Sequence, residues 1–118
     1  MTTLHTRLLA IAGVFLAFTA AAPAQEYPTK PIRIIVPFAP GGLNDLVGRM
    51  IGTHLTERLG KQVIVENRTG AGGVVGTELA SQAPKDGYTL LIISIAHAVN
   101  PWLYDLKGRY DPLKSFTP

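Results

Sequence analysis

Short, continuous apolar runs alternate along this chain with longer stretches in which apolar residues recur every three or four positions. The apolar runs are residues 32–36, 63–66 and 89–94, and such runs are typical of strands covered on both faces. The stretches between them, residues 45–59 and 73–83, have the period of helices. This βαβαβ order predicts an α/β fold with a parallel sheet, in which residues 32–36 form the central strand.

The first helix is predicted to carry one apolar stripe and to have recognisable ends. We expect Asn44 or Asp45 to cap its start, and Gly60 to end it in a left-handed conformation. Beyond Ser94 the pattern is lost, and we expect an irregular segment in which His97 is a loop residue or a packed side chain. The apolar stripe consists of Leu46, Val47, Met50, Ile51, Leu55 and Leu59.

A glycine-rich turn follows each of the first two strands and opens the next helix. The turns read Pro-Phe-Ala-Pro-Gly-Gly at 37–42 and Thr-Gly-Ala-Gly-Gly at 69–73. The first amides of a helix have no intrahelical partner and lie at the positive end of its dipole, so both turns suit an anion. Parallel strands bring both turns to the carboxyl edge of the sheet, where open α/β folds bind ligands. The pattern predicts a ligand with carboxylate or phosphate groups, although turn geometry and packing alone also account for the glycines.

The spacing of Gly70, Gly72 and Gly76 leaves a second interpretation open, a nucleotide-dependent enzyme that binds its cofactor at this loop. Dinucleotide-binding folds place an acid after the next strand to bind the ribose, and residues 94–96 provide none. No nucleophile elbow surrounds Ser94, and the three histidines lack metal-ligand spacing. We therefore expect no enzyme, no metal and no other cofactor.

Composition narrows the function classes further. The 118 residues are 47% hydrophobic and 16% charged, which fits one globular unit rather than a disordered chain. The net charge is +3, and the lysines and arginines are scattered among acids, which argues against a nucleic-acid partner. No cysteine is present, so disulfides and thiolate metal sites are excluded.

The first 24 residues have the pattern of a secretory signal peptide. Arg7 precedes an apolar run at residues 8–18, and Ala22-Pro23-Ala24 has the small residues that signal peptidase requires. The run is shorter than the roughly 20 residues of a membrane span, which disfavours the alternative of an uncleaved anchor. We predict cleavage after Ala24 and a periplasmic location for the chain from residue 25 onward.

Five motifs occur in order along residues 27–104. They are Tyr-Pro-Thr-Lys-Pro-Ile at 27–32, Val-Pro-Phe-Ala-Pro-Gly-Gly at 36–42, Val-Glu-Asn-Arg at 65–68 followed by Gly-Ala-Gly-Gly at 70–73, Asp-Gly-Tyr-Thr-Leu-Leu at 86–91, and His-Ala-Val-Asn-Pro at 97–101 followed by Leu103-Tyr104. Together they closely resemble the extracytoplasmic solute receptors of tripartite tricarboxylate transporters, the Bug family. The resemblance implies a two-lobed, type II periplasmic binding protein that binds small organic carboxylates without catalysis and delivers them to membrane permease subunits.

The resemblance also implies which residues bind the ligand. In relatives the two glycine loops hold a carboxylate through backbone amides and bridging water, and the segment that matches His97 lines the cleft. Phe38 is expected to form an apolar wall, and Asp45 to act as a helix cap or a ligand contact. Leu43 and Asn44 depart from the small residue and hydroxyl common in relatives, so a different ligand preference is expected. The expected ligand-binding residues are Phe38, Ala39, Gly41, Gly42, Asn44, Asp45, Gly70, Ala71, Gly72, Gly73 and His97.

The resemblance covers residues 27–118, and it implies that residues 25–118 form only the amino-terminal part of the first lobe, without the second lobe. We therefore expect an amino-terminal piece of a longer receptor that works as a monomer. A truncated product without function is the alternative.

Overall fold

The computed structural model describes residues 26–118 and contains a three-stranded parallel sheet. The strands are β1 (Ile32–Val36), β2 (Val63–Asn67) and β3 (Thr89–Leu91), in the order β2-β1-β3. Within that sheet, Ile34 pairs with Val65 on one side and with Leu90 on the other. The predicted α/β class, parallel pairing and central position of β1 are confirmed. The predicted signal peptide and its cleavage site after Ala24 lie outside the described residues.

Strand β1 forms the centre of the core because its sequence is almost entirely β-branched and apolar. Ile32, Ile34, Ile35 and Val36 are each at most 1% exposed. Val74, which opens the second helix, is equally buried. Burial of this strand on both faces fixes its register, and so fixes the point where the chain leaves the sheet toward the first glycine loop.

Helices connect and cover the strands. Helix α1 (Leu43–Leu59) packs on β1 and β2, and helix α2 (Val74–Ser81), preceded by a 3₁₀ turn at Ala71–Gly73, packs on β1 and β3. A third helix, α3 (Ile95–Leu103), follows β3. Over residues 26–118, no helix combines the length and apolar character needed to cross a membrane.

Helix α1 differs from its predicted form in two ways. Its cap position is Gly42, so the expectation that Asn44 or Asp45 caps it is wrong. The predicted apolar stripe is also wrong, because Leu46 and Met50 are each 67% exposed while the buried positions are Asp45, Gly48 and Gly52. The two glycines let the helix backbone approach β1 and β2 closely, which larger apolar residues would prevent. The predicted left-handed end at Gly60 is confirmed, with φ of 65°.

The segment after Ser94 is helical, so the expectation of an irregular segment is wrong. The Ser94 hydroxyl accepts a hydrogen bond from the Ala96 N–H at 3.2 Å and caps α3. Strand β3 is shorter than the predicted 89–94. Its pairing with β1 ends where the Ile92 N–H donates to the Ile35 carbonyl, and the chain then turns into α3. His97 therefore lies on a helix rather than in a loop.

Candidate functional site

The first glycine loop, residues 37–42, connects β1 to α1. Gly41 has a φ of 83°, in the left-handed region that favours glycine. The first intrahelical bond of α1 joins the Leu46 N–H to the Gly42 carbonyl at 3.0 Å. The amides of Leu43 and Asn44 precede this bond and have no acceptor within the helix. The helix start thus presents N–H groups and the positive end of its dipole at the carboxyl edge of the sheet.

Asp45 holds this loop in place from the first turn of α1. It is 4% exposed, and its carboxylate accepts hydrogen bonds from Arg49 Nε at 3.0 Å, the Gly41 N–H at 2.8 Å and Asn67 Nδ2 at 2.9 Å. The Arg49 guanidinium, followed by the Gly41 amide and the Asn67 carboxamide, lowers the pKa of Asp45 to about 2. The carboxylate is therefore ionised at neutral pH and already engaged by groups of the chain.

The second glycine loop, residues 68–73, connects β2 to α2 through consecutive residues with positive φ. The φ values are 139° at Gly70, 45° at Ala71, 61° at Gly72 and 95° at Gly73. Ala71 is the unusual member, because residues with a Cβ rarely adopt positive φ. The turn is closed by the Gly73 N–H, which donates to the Gly70 carbonyl at 2.9 Å. Its exposed part, Gly70 to Gly72, lies at the same sheet edge as the first loop.

The two loops are in direct contact. A Cβ added to Gly73 would lie 3.2 Å from Phe38 Cζ, so the Phe38 ring of the first loop packs against the backbone of the second. Asn67, the last residue of β2, donates from Nδ2 to the Phe38 carbonyl at 3.0 Å. The convergence that the parallel topology predicts is therefore present in atomic contacts.

His97 contacts a different part of the chain. Its Nε2 lies 3.0 Å from the Pro112 carbonyl, and its ring packs against the rings of Tyr110 and Phe116. Asn100, also on α3, forms a hydrogen bond with the second glycine loop, since its Nδ2 donates to the Gly72 carbonyl at 3.1 Å. His97 is thus held by the C-terminal segment, and Asn100 connects α3 to the second loop.

Ten of the eleven expected ligand-binding residues belong to the two loops and the first turn of α1. Ala39, Gly41 and Gly42 are exposed, Asn44 and Phe38 are half-buried, and Gly73 is buried. Sequence reasoning missed Arg49, Asn67 and Asn100, which hold these loops from outside. Asn67 had a visible signal, since it follows the apolar run of β2 directly at the predicted ligand edge.

Two arginines that lie beside the loops form ion pairs with carboxylates of the chain. Arg49 pairs with Asp45 at 3.0 Å. Arg68 pairs with Glu66 at 2.8 Å, but Glu66 also pairs with Arg33 at 2.8 Å, so Arg33, Glu66 and Arg68 together keep one net positive charge. Among residues 26–118, no cluster of three or more His, Cys, Asp or Glu is placed to hold a metal ion. The amides and helix dipoles at the loops favour an anion, and the net positive charge beside the second loop adds to this attraction.

An open groove lies beside the second loop. Its volume is about 510 Å³, and it also borders helix α2. None of the loop glycines lines this groove. The candidate site at the glycines is therefore separate from the groove. The groove is lined by Asn67, Arg68, Thr69, Val75, Glu78, Leu79 and Gln82.

Comparison with known proteins identifies a family. Residues 47–118 match the family described as "Tripartite tricarboxylate transporter family receptor" (TctC). The curated protein BugT of Bordetella pertussis is 50% identical over 92 residues, which cover 75% of this chain and 28% of BugT.

Solved structures agree with this match. The periplasmic binding protein BugD superposes with a TM-score of 0.73 at 41% identity, over 78% of this chain and 30% of BugD. MatC of Rhodopseudomonas palustris, solved with bound malate, gives a TM-score of 0.64 at 35% identity, over 78% of this chain and 31% of MatC. This chain therefore spans about 30% of the length of the relatives it matches.

Proposed function

This chain belongs to the tripartite tricarboxylate transporter receptor family, and we propose that it supplies part of the ligand-binding lobe of an extracytoplasmic receptor for small organic carboxylates. The receptor would bind its ligand without catalysis and present it to the membrane permease subunits of a tripartite transporter. The proposed location is the periplasm, reached through a signal peptide cleaved after Ala24. The first lobe would begin at residue 25, and the receptor would act as a monomer.

The observation that carries this proposal is the contact between two glycine loops at one sheet edge, with the net positive charge of Arg33, Glu66 and Arg68 beside the second loop. A carboxylate offers several lone pairs to backbone N–H groups and gains from the positive ends of helices. The malate held by the related MatC is a ligand of this chemical class.

The proposed roles differ between the residues of the site. Backbone amides of the first turn of α1 and of the second loop bind carboxylate oxygens directly or through water. Phe38 forms an apolar wall. Asp45, engaged by three donors of its own chain, positions the first loop. The proposed ligand-binding set is the one expected from the sequence, with Ala39, Gly41, Gly42, Asn44, Gly70, Ala71, Gly72 and Gly73 at the edge and His97 farther along α3.

Calorimetric titration of the complete protein with malate and citrate tests the proposal. We expect binding of at least one of these acids, and none of the uncharged diamide of malate, which keeps the shape but lacks the charge. Co-purified ligand is first removed by unfolding and refolding. Absence of heat with both acids from the refolded protein would contradict the proposal, as would equal binding of the diamide.

Gly42→Ala provides the matched variant. Gly42 has a φ of −81°, which alanine adopts, and the added Cβ would lie 3.5 Å from the Ala39 carbonyl, an ordinary contact. The fold should therefore persist while the methyl group occupies space beside the first-turn amides, weakening malate binding by about tenfold. Thr53→Ala, an exposed change farther along α1, serves as the control and should leave affinity unchanged.

A further inference from the structure

Each glycine loop is held by the carboxamide of an asparagine that lies outside it. For the first loop this residue is Asn67, at the end of β2. Its Nδ2 donates to the Phe38 carbonyl at 3.0 Å and to Asp45 Oδ1 at 2.9 Å, while its Oδ1 accepts from Arg49 Nη2 at 3.2 Å. Both acceptors of Nδ2 carry only lone pairs, so a donor is required at that position.

For the second loop the residue is Asn100, on α3. It is 3% exposed, and its Nδ2 donates to the Gly72 carbonyl at 3.1 Å. A Cβ added to Gly72 would lie 3.6 Å from Asn100 Oδ1 and 3.1 Å from the Tyr104 hydroxyl, so the loop backbone rests against α3. A carbonyl can only accept a hydrogen bond, which again requires the amide nitrogen of the asparagine at this point.

The second loop needs such support because its conformation is intrinsically uncommon. Four consecutive residues have positive φ, and one of them, Ala71, has a Cβ. Conformations of this kind persist where surrounding structure fixes them. A fixed loop keeps its amides in the orientation that a ligand needs, which lowers the entropy lost on binding.

We infer that Asn67 and Asn100 are positioning residues, whose carboxamides hold the two glycine loops in the geometry that binds a ligand carboxylate. The inference rests on the proposed function for its ligand, but its structural part concerns the loops alone. It extends the site from the loops to β2 and α3, through side chains that need not touch the ligand.

Asn100→Asp is the sharpest test because it keeps the shape of the side chain and removes the donor. An ionised carboxylate would face the Gly72 carbonyl and repel it, whereas the protonated acid could donate its O–H to the same carbonyl. Burial raises the pKa of an introduced carboxyl, so protonation falls within an accessible range. Tyr104 is the titratable group that lies beside Gly72 in the structure, and it is unchanged in the variant.

We expect N100D to bind malate about tenfold more weakly than the wild type at about pH 8, and to recover to within about twofold at about pH 5.5. Comparing the two proteins at each pH cancels the ionisation of malate itself. The amide NMR signals of residues 70–73, recorded without ligand, should shift with the same pH dependence. N67D should recover less on acidification, because one O–H cannot replace two N–H donors.

Thr56→Val is the matched control for lost stability. The Thr56 hydroxyl donates to the Gly52 carbonyl and accepts from the Val63 N–H at the opposite end of α1, so its loss destabilises the fold away from the loops. T56V should leave malate affinity and the loop amide signals unchanged. If N100D does not fold, N100S replaces it, since a serine hydroxyl is too short to reach the Gly72 carbonyl.

The outcomes separate this inference from the proposed function. If the wild type binds no carboxylate but the loop signals of N100D shift and recover with pH, the proposed function fails and the positioning role stands. Unchanged loop signals in N100D and N67D overturn the positioning role, whether malate binding is lost or retained. The positioning role is also overturned if the loss of affinity in N100D does not change with pH and T56V loses as much affinity as N100D.

Discussion

Asp45 shows how one side chain of the first turn connects three parts of the site. Its partners are the Gly41 amide before the helix, Arg49 one turn later, and Asn67 at the end of β2. A carboxylate with three donors stabilises the loop only while it is ionised. The structure therefore links the geometry of the first loop to the charge of a single buried residue.

Asp45→Asn should lower stability, and the difference from the wild type should depend on pH. The pKa of Asp45 is lowered from its usual 3.8 to about 2 in the folded protein. Its contribution is therefore fully present above about pH 4 and is lost as the pH falls toward about 2. Urea unfolding of both proteins between about pH 7 and 2 measures this difference in the free energy of unfolding.

The other carboxylates titrate in both proteins, so subtracting one free energy from the other isolates Asp45. The expected difference is constant at neutral pH and shrinks in the acid range. A difference that stays the same from about pH 4 to about pH 2 would show that the Asp45 carboxylate is not stabilised by these donors.

At the scale of elements, glycine decides how α1 meets the sheet. A Cβ added to Gly48 would lie 2.8 Å from Val36 Cγ2, which is closer than real Cβ contacts. Val36 is the last residue of β1, directly before the first glycine loop. The close approach of α1 thus sets both the packing of the core and the start of the loop.

Gly48→Ala should destabilise the protein by up to about 2 kcal/mol. Overpacking costs about 1–3 kcal/mol, and the better helix propensity of alanine offsets about 1 kcal/mol of it. Thr53→Ala, at an exposed position of the same helix, gains propensity without a clash and should be neutral or stabilising by about 0.5 kcal/mol. Denaturant unfolding compares the two, and a G48A protein as stable as T53A would mean that α1 can move away from Val36 without cost.

The sequence predicts elements well where burial controls the pattern. Strand β1 has its predicted bounds because a strand covered on both faces reads as an unbroken apolar run. The start of α1 and its buried face were predicted incorrectly, because Gly42 caps without a side-chain hydrogen bond and Gly48 and Gly52 form the contact face without apolar side chains. Hydrophobic periodicity cannot detect a contact face made of glycine.

The two loops of the candidate site could be predicted from the sequence, but the side chains that hold them could not. Both loops follow from their glycines and from parallel topology, which brings successive strand ends to one edge. The residues that hold them were not predictable from spacing, because Asn67 and Asn100 are 29 and 28 positions away from the carbonyls to which they donate. Such contacts depend on the three-dimensional packing of β2 and α3.

At the scale of the whole molecule, the open edge limits what the described residues contribute to binding. A helix end stabilises an exposed anion by about 0.3–1 kcal/mol, and by up to about 2 kcal/mol when the anion is partly buried. High affinity therefore requires that the ligand be enclosed against the loops, so that water no longer competes for the amides.

The proposed function requires export to the periplasm, and export depends on residues 1–24. Ala22 and Ala24 provide the small side chains that signal peptidase accepts, after the apolar run at residues 8–18. We predict that protein released from the periplasm by osmotic shock begins at Gln25, as shown by intact mass and N-terminal sequencing. Ala24→Phe should block cleavage and retain the precursor at the membrane, whereas Ala10→Leu, which keeps the run apolar, should be processed normally. Release of A24F at the same mature mass as the wild type would contradict this cleavage site, and a wild-type product that keeps residues 1–24 would contradict cleavage altogether.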